Sequence, residues 1–151
     1  MLKIAIGADH RGYKHKAVIQ HGVTFEEKKI EWLDVGSYDT HRADYPPFAA
    51  EVARLVQKKN VDCGVLLCGS GAGMAIAANR FFGIYAALAW NEETAYRAKE
   101  EDNANILVLP ADYISPEEAV YMVIAWLNAQ FLDNRYEKRI ELIDSWGGIK
   151  K

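Results

Sequence analysis

The sequence predicts an α/β fold built on a parallel sheet, and three observations carry that expectation. Five short apolar runs alternate with longer mixed segments, the pattern of repeated βαβ units. The chain has 151 residues, half of them apolar and 26% charged, an ordinary globular composition that excludes disorder, collagen and coiled coil. The turn Cys68-Gly69-Ser70-Gly71-Ala72-Gly73-Met74 joins an apolar run to an alanine-rich segment, as a strand-to-helix connection does. A single domain over residues 1–151 is therefore expected. A chain of this length buries roughly 70% of its unfolded surface, so it needs no metal or disulfide staple.

Taken in order, the first strand is expected over Leu2 to Ile6 and the first helix over Tyr13 to His21. A second strand from Ile30 to Val35 leads to a helix from Phe48 to Lys58. There Pro47 suits a first helical turn, and Phe48, Val52, Leu55 and Val56 recur at helical spacing, giving a face to pack on the sheet. The third strand, Cys63 to Leu67, precedes the glycine turn and a helix from Ala75 to Arg80. A fourth strand, Ile84 to Ala89, and a helix, Glu92 to Glu101, follow. After a fifth strand, Ile106 to Leu109, Ser115-Pro116-Glu117-Glu118 starts a helix to Phe131 by cap, proline and acidic first turn together. The last helix, about 134 to 145, is of mixed charge with Ile140 and Ile143 apolar. No internal repeat, low-complexity tract or linker interrupts this series.

Charge and cysteine usage narrow the function. Eighteen basic against 21 acidic residues give a net charge of −3, which is no electrostatic footprint for nucleic acid. The longest charge-free run, Cys63 to Asn79, has 17 residues and four glycines, too short and too broken for a membrane span. The N-terminus enters a strand-like run without signal-peptide architecture, so a cytoplasmic protein is expected. Cys63 and Cys68 stand five apart, matching neither a CxxC redox pair nor a zinc knuckle, and should be reduced thiols.

Ligands of open parallel sheets bind beyond the carboxyl ends of strands, above all where strand order reverses. The segment of most unusual composition there is the glycine turn. Alternate glycines let successive N–H groups converge, and the following helix adds partial positive charge, which together make an anion cradle. Met74 stands where a dinucleotide fingerprint needs glycine, and no Gly-Lys-Ser/Thr follows, so neither a dinucleotide site nor a P-loop is indicated. The alternative is a tight turn with no ligand. Cys68 directly precedes the cradle, where helix-terminal dipoles favour a thiolate, whereas Cys63 at the other end of the strand reads as a small core residue. Cys68 is either packing or a reactive base. A thiolate beside such a cradle serves acyl transfer or proton abstraction next to a carbonyl. Of four histidines only His10 lies at a strand end, which favours proton abstraction.

The runs Gly7-Ala8-Asp9-His10, Asp44-Tyr45-Pro46, Leu67 to Met74, Ile76-Ala77-Ala78-Asn79-Arg80 and Asn103-Ala104-Asn105-Ile106-Leu107 resemble the family of type B ribose-5-phosphate isomerases and galactose-6-phosphate isomerase subunits. The resemblance extends from Met1 to about Ile143. It implies a three-layer α/β/α sandwich with a Rossmann-like five-stranded parallel sheet. It also implies a homodimer or tetramer with each active site at a subunit interface, and neither metal nor cofactor. By that resemblance Cys68 matches the general base that moves a proton between C1 and C2 of a sugar phosphate. Ser70 matches a hydroxyl position beside that carbon, and Gly69, Gly71, Ala72, Gly73 and Met74 match the backbone cradle for the enediolate oxygen. Asp9, His10 and Asn103 match substrate-binding positions, and Tyr45 a ring-packing one. Arg135 and Arg139 match phosphate ligands contributed by the neighbouring subunit. As i and i+4 residues of one helix they share a face and can grip a single phosphate.

Three positions depart from the ribose-phosphate pattern. Glu101-Asp102 replaces the His-Asn whose histidine opens the sugar ring, so Glu101 is the candidate for that step. Asp112 stands where an arginine often follows the fifth strand, and Asp133-Asn134-Arg135-Tyr136 replaces Gly-Gly-Arg-His. Ala98-Lys99-Glu100-Glu101 is instead similar to the B subunit of galactose-6-phosphate isomerase. The leading expectation is an aldose–ketose isomerase acting on ribose 5-phosphate and ribulose 5-phosphate. Tetrose 4-phosphate, galactose 6-phosphate with a different partner chain, and a non-catalytic sugar-phosphate sensor are the alternatives.

Overall fold

The structure is a computed structural model in which residues 1–147 are described. Strands β1 (Leu2–Ala8), β2 (Ile30–Asp34), β3 (Cys63–Cys68), β4 (Ala86–Leu88) and β5 (Ile106–Pro110) form one all-parallel sheet in the order β2-β1-β3-β5-β4. Helices α1 (Tyr13–Gly22), α4 (Glu92–Asp102) and α5 (Pro116–Asn128) pack on one face, and α2 (Pro46–Gln57) and α3 (Ala72–Ala78) on the other. These are the three layers expected. α6 (Arg135–Ser145) lies outside them against α4.

The central strands read as continuous apolar runs because both of their faces are covered. Along β3, Val65 and Leu67 face α1 and α5, while Leu66 and Cys68 face α2 and α3. Leu107 and Leu109 of β5 alternate in the same way with Ile106 and Val108. Cys63 and Cys68 are thus at opposite ends of one strand and on opposite faces of the sheet.

Several boundaries differ from the sequence expectation, each for a local reason. α3 starts at Ala72 rather than Ala75 because Gly71, at φ +78°, turns the chain directly into the helix. β4 is three residues long instead of six, since the Asn105 and Asn79 side chains take the backbone groups of Tyr85 and Ala86 that a longer ladder would use. α5 ends at Asn128, three residues before Phe131, where Ala129 becomes extended and the chain turns to bond Leu132 N–H to the Glu100 carbonyl. The start of α5 is as read: the Ser115 hydroxyl accepts from Glu118 N–H at 3.1 Å, and the Glu118 carboxylate accepts from Ser115 N–H at 2.7 Å. Ser115→Ala should therefore cost about 1 kcal/mol, read as a fall in Tm of about 2–4 °C, with an unchanged midpoint showing the cap to be inert.

Candidate active site

β1 and β3 lie side by side, yet the chain leaves β1 for α1 on one face and β3 for α3 on the other. Because α1 leads back to β2 while α3 leads on towards β4, the strand order reverses here, and a crevice opens at the carboxyl ends of β1 and β3. Asp9, His10 and Arg11 enter the crevice from β1, and Cys68, Gly69 and Ser70 from β3.

The turn after β1 is built on Asp9. Its buried carboxylate accepts the N–H groups of Arg11 at 2.9 Å and Gly12 at 3.2 Å, which fixes the backbone that carries His10 and Arg11. The His10 Nδ1 lies 3.2 Å from the N–H and 3.3 Å from the carbonyl of Ala43, so the ring is held in either protonation state and Nε2 is the nitrogen left for a ligand. The loop before α2 is tied in the same way to the first strand.

At the end of β3 the glycine turn has a different shape from the open cradle read in the sequence. Gly71 N–H donates to Cys68 Sγ at 3.2 Å, and Ala72 N–H donates to the Ser70 hydroxyl at 3.2 Å. Gly71 is required twice over, by its positive φ and because a Cβ there would collide with Leu88. Gly73 lies inside α3, and a Cβ on it would run into the Tyr45 ring, so the tyrosine is seated on the first turn of that helix. The Met74 side chain is fully buried in the core beneath, leaving only its N–H, with that of Gly73, facing the N-terminal opening of α3. Cys68 is 4% exposed and Cys63 7%, so burial alone does not separate the two thiols. Surroundings do. Cys68 has an N–H pointed at its sulfur, whereas burial pushes the Cys63 thiol up to about 12, against a smaller opposing pull from Lys99.

Glu101, Asn103, Arg135 and Arg139 are elsewhere. α4 ends at Asp102 and feeds the amino end of β5, while Cys68 pairs with Pro110 at its carboxyl end. The strand alone separates these levels by about 13 Å. Arg135 and Arg139 both lie over the Tyr136 ring, 5.0 and 5.3 Å from its centre, which brings the two guanidinium groups to one place. α6 packs against α4, so the Arg139 charge favours the ionised form of Asp102 and, weakly, the Glu101 charge supports that of Arg135. Glu101 is engaged by Arg97 at 3.0 Å on the helix surface, and Asn103 closes α4 in the left-handed conformation at φ +50°. The carboxyl group pushed upward here is Asp102, chiefly by burial and then by the Glu101 charge, with Arg139 opposing. The residues singled out in the sequence thus fall into two groups, one at either end of the sheet.

A sequence model described as Ribose/Galactose Isomerase matches residues 4–143. This chain belongs to that family. Ribose-5-phosphate isomerase B of Escherichia coli (strain K12) is 38% identical over 145 residues, 95% of each chain. A ribose 5-phosphate isomerase from Thermotoga maritima superposes with a TM-score of 0.90 at 41% identity, covering 95% of this chain and 98% of that one. Ribose-5-phosphate isomerase B from Mycoplasma genitalium, solved with bound ribulose-5-phosphate, superposes at 0.88 with 36% identity over 96% and 95%.

Asp9, His10, Tyr45 and residues 68–74 gather at the carboxyl ends of β1 and β3, whereas Glu101, Asn103, Arg135 and Arg139 lie at the other end of the sheet, a separation that no spacing in the sequence signals. Arg11, which the sequence motifs do not single out, forms an ion pair with Asp112 beside Gly69. The signal available was its place directly after Asp9-His10. Among the described residues no helix is long and apolar enough to cross a membrane, and no three His, Cys, Asp or Glu side chains gather as a metal-holding group.

Proposed function

We propose that this chain is an aldose–ketose isomerase that interconverts ribose 5-phosphate and ribulose 5-phosphate through an enediolate. The observation that carries the reading is the Cys68 sulfur at the switch-point crevice, accepting Gly71 N–H in a turn that opens the first helical turn of α3 to the same space. Family membership, and the ribose-5-phosphate isomerase names of the relatives, support it.

In the aldose-to-ketose direction the Cys68 thiolate takes the proton from C2. The C2–H electron pair becomes the C1–C2 double bond, and the carbonyl pair moves onto O1. Ser70 and the Gly73 and Met74 N–H groups are the donors assigned to the developing oxyanion. The hydroxyl proton of C2 passes to O1, and Cys68 returns its proton to C1, so nothing is gained or lost. Asp9 holds the turn, His10 Nε2 is assigned to a sugar hydroxyl and Tyr45 packs the sugar, while Asn103, at the far end of its own sheet, is assigned to a sugar hydroxyl in the site of a second copy.

The phosphate grip and the ring-opening acid are assigned to a second copy of the chain, because Arg135, Arg139 and Glu101 sit at the far end of their own sheet. The last helix, about 134 to 145, is the segment proposed to reach the neighbour. Exposed Ile143 and Trp146 at the end of α6 border Ala86 and Ala87 of the edge strand β4 and support self-association there. Dimer or tetramer, residence in the cytoplasm and a single domain over 1–151 complete the proposal.

The test is interconversion measured on pentose, tetrose and hexose phosphates. Ribose 5-phosphate should give the highest kcat/KM. Preference for another sugar phosphate would replace the substrate, and turnover of none would leave the sensor reading. In the same panel, Glu101→Gln should slow a mainly cyclic pentose phosphate and spare a tetrose 4-phosphate that cannot cyclise. Equal losses on both would remove Glu101 from ring opening.

A further inference from the structure

We propose that Arg11 is a phosphate-binding residue of this chain's own half-site, presented to the crevice by Asp112; the inference rests on the isomerase reading above. Three loops meet at the carboxyl ends of β1, β3 and β5. Within residues 7–12, 68–74 and 110–115, Arg11 is the one lysine or arginine, while Asp9 and Asp112 are acidic. A sugar phosphate entering here would meet two carboxylates and a thiolate, and Arg11 is the fixed positive charge that offsets them.

The side chain is placed for that task. A Cβ added to Gly69 would lie 2.9 Å from both Cζ and Nε of Arg11 and 2.8 Å from Asp112 Oδ2, so the guanidinium rests against the residue that follows Cys68. Asp112 is itself fixed, its N–H donating to the Gly69 carbonyl at 3.0 Å, and its carboxylate holds the Arg11 Nη2. Arg11 N–H is bonded in turn to Asp9. The arginine is thus anchored at its backbone and at one corner of its fork. The side chain remains 55% exposed, against 32% for Asp112, and a guanidinium has five donors, of which this carboxylate engages one nitrogen. What sets this ion pair apart from an ordinary surface one is its seat against Gly69, directly after the proposed base. The pairing also accounts for Asp112, a position whose negative charge is otherwise adverse to a phosphate ligand: here it orients a cation carried by the neighbouring loop.

Binding of inorganic phosphate and of ribose 5-phosphate to wild-type protein and Arg11→Met, followed by calorimetry, tests this without requiring turnover. Both affinities should fall by roughly tenfold or more, as loss of a charge-assisted contact implies, and Arg11→Lys should restore part of the loss. In steady state KM should rise with kcat changed far less. Adding Asp112→Asn to Arg11→Met should weaken phosphate binding no further, since Asp112 acts through the arginine. Should Arg11→Met fail to fold, Arg11→Gln carries the same comparison. Unchanged phosphate affinity in a folded variant, or no phosphate binding by the wild-type protein, would overturn the assignment, as would a lowered Tm with KM unmoved. Failure of the isomerase reading is distinct from these outcomes: the wild-type protein would then turn over no sugar phosphate, whatever the binding comparison gives.

Discussion

Cys68→Ala should lower kcat for sugar-phosphate isomerisation by roughly 10²–10⁴, the contribution of a positioned general base, while the protein remains folded. The reason lies in the end of β3. The Cys68 sulfur receives the Gly71 N–H at the crevice, and no histidine is bonded to it to share the proton. Cys68→Ser separates chemistry from packing. Serine nearly keeps the shape of cysteine, but a hydroxyl is far less acidic than a thiol and yields little oxyanion at neutral pH, so this variant should also be nearly inactive with an unaltered Tm. Cys63→Ala, at the opposite end and face of the same strand, should leave turnover essentially intact. Burial holds that thiol up near 12, so it is protonated at neutral pH. Isomerase activity retained in Cys68→Ala would remove the thiol from proton transfer and leave the glycine turn as a binding feature alone.

A comparably large effect is expected when both arginines of α6 are removed. Arg135→Ala/Arg139→Ala takes away the two guanidinium groups gathered over Tyr136, and substrate binding should collapse while each chain still folds, since both side chains are exposed. The informative measurement is complementation. In a dimer with shared sites, a chain lacking Cys68 and a chain lacking the arginines are each defective in both of their sites. A mixed dimer holds one site with every group intact and one with none. Random exchange makes about half of the dimers mixed, so about a quarter of wild-type activity should return. If exchange is demonstrated and no activity appears, both groups serve one chain. Residues 101–103 and α6 would then have to reach the carboxyl ends of their own strands, past the length of β5, which this fold does not provide for.

The glycine turn also shows how far local chemistry can be read. Positive φ at Gly71 and proximity at Gly73 and Gly69 are backbone requirements, and a run of alternate glycines signals them whatever the partner. The identity of the partner is another matter. That Tyr45 occupies the space at Gly73, and Arg11 with Asp112 that at Gly69, depends on three loops of distant sequence meeting. The two carboxylates at the end of α4 are equally instructive. Side by side in the sequence they look interchangeable, yet Glu101 pairs with Arg97 one helical turn back, whereas Asp102 is pushed upward by partial desolvation and by the Glu101 charge beside it.

Local sequence thus names the elements and a set of candidate reactive groups. The alternation of apolar runs named the parallel sheet, Ser115 to Glu118 named a helix start that the structure has at Pro116, and Cys68 before its glycines named the candidate base. These signals are local, because hydrophobic period, capping and turn conformation are properties of residues within a few positions of one another. The tertiary structure decided which of them meet. Only the order β2-β1-β3-β5-β4 sets Arg11 beside Gly69 and carries Glu101, Arg135 and Arg139 to the far end from Cys68. Strand order arises from pairing between segments tens of residues apart, through backbone hydrogen bonds that carry no residue code, and so one chain's sequence shows both halves of a site without showing that they face apart.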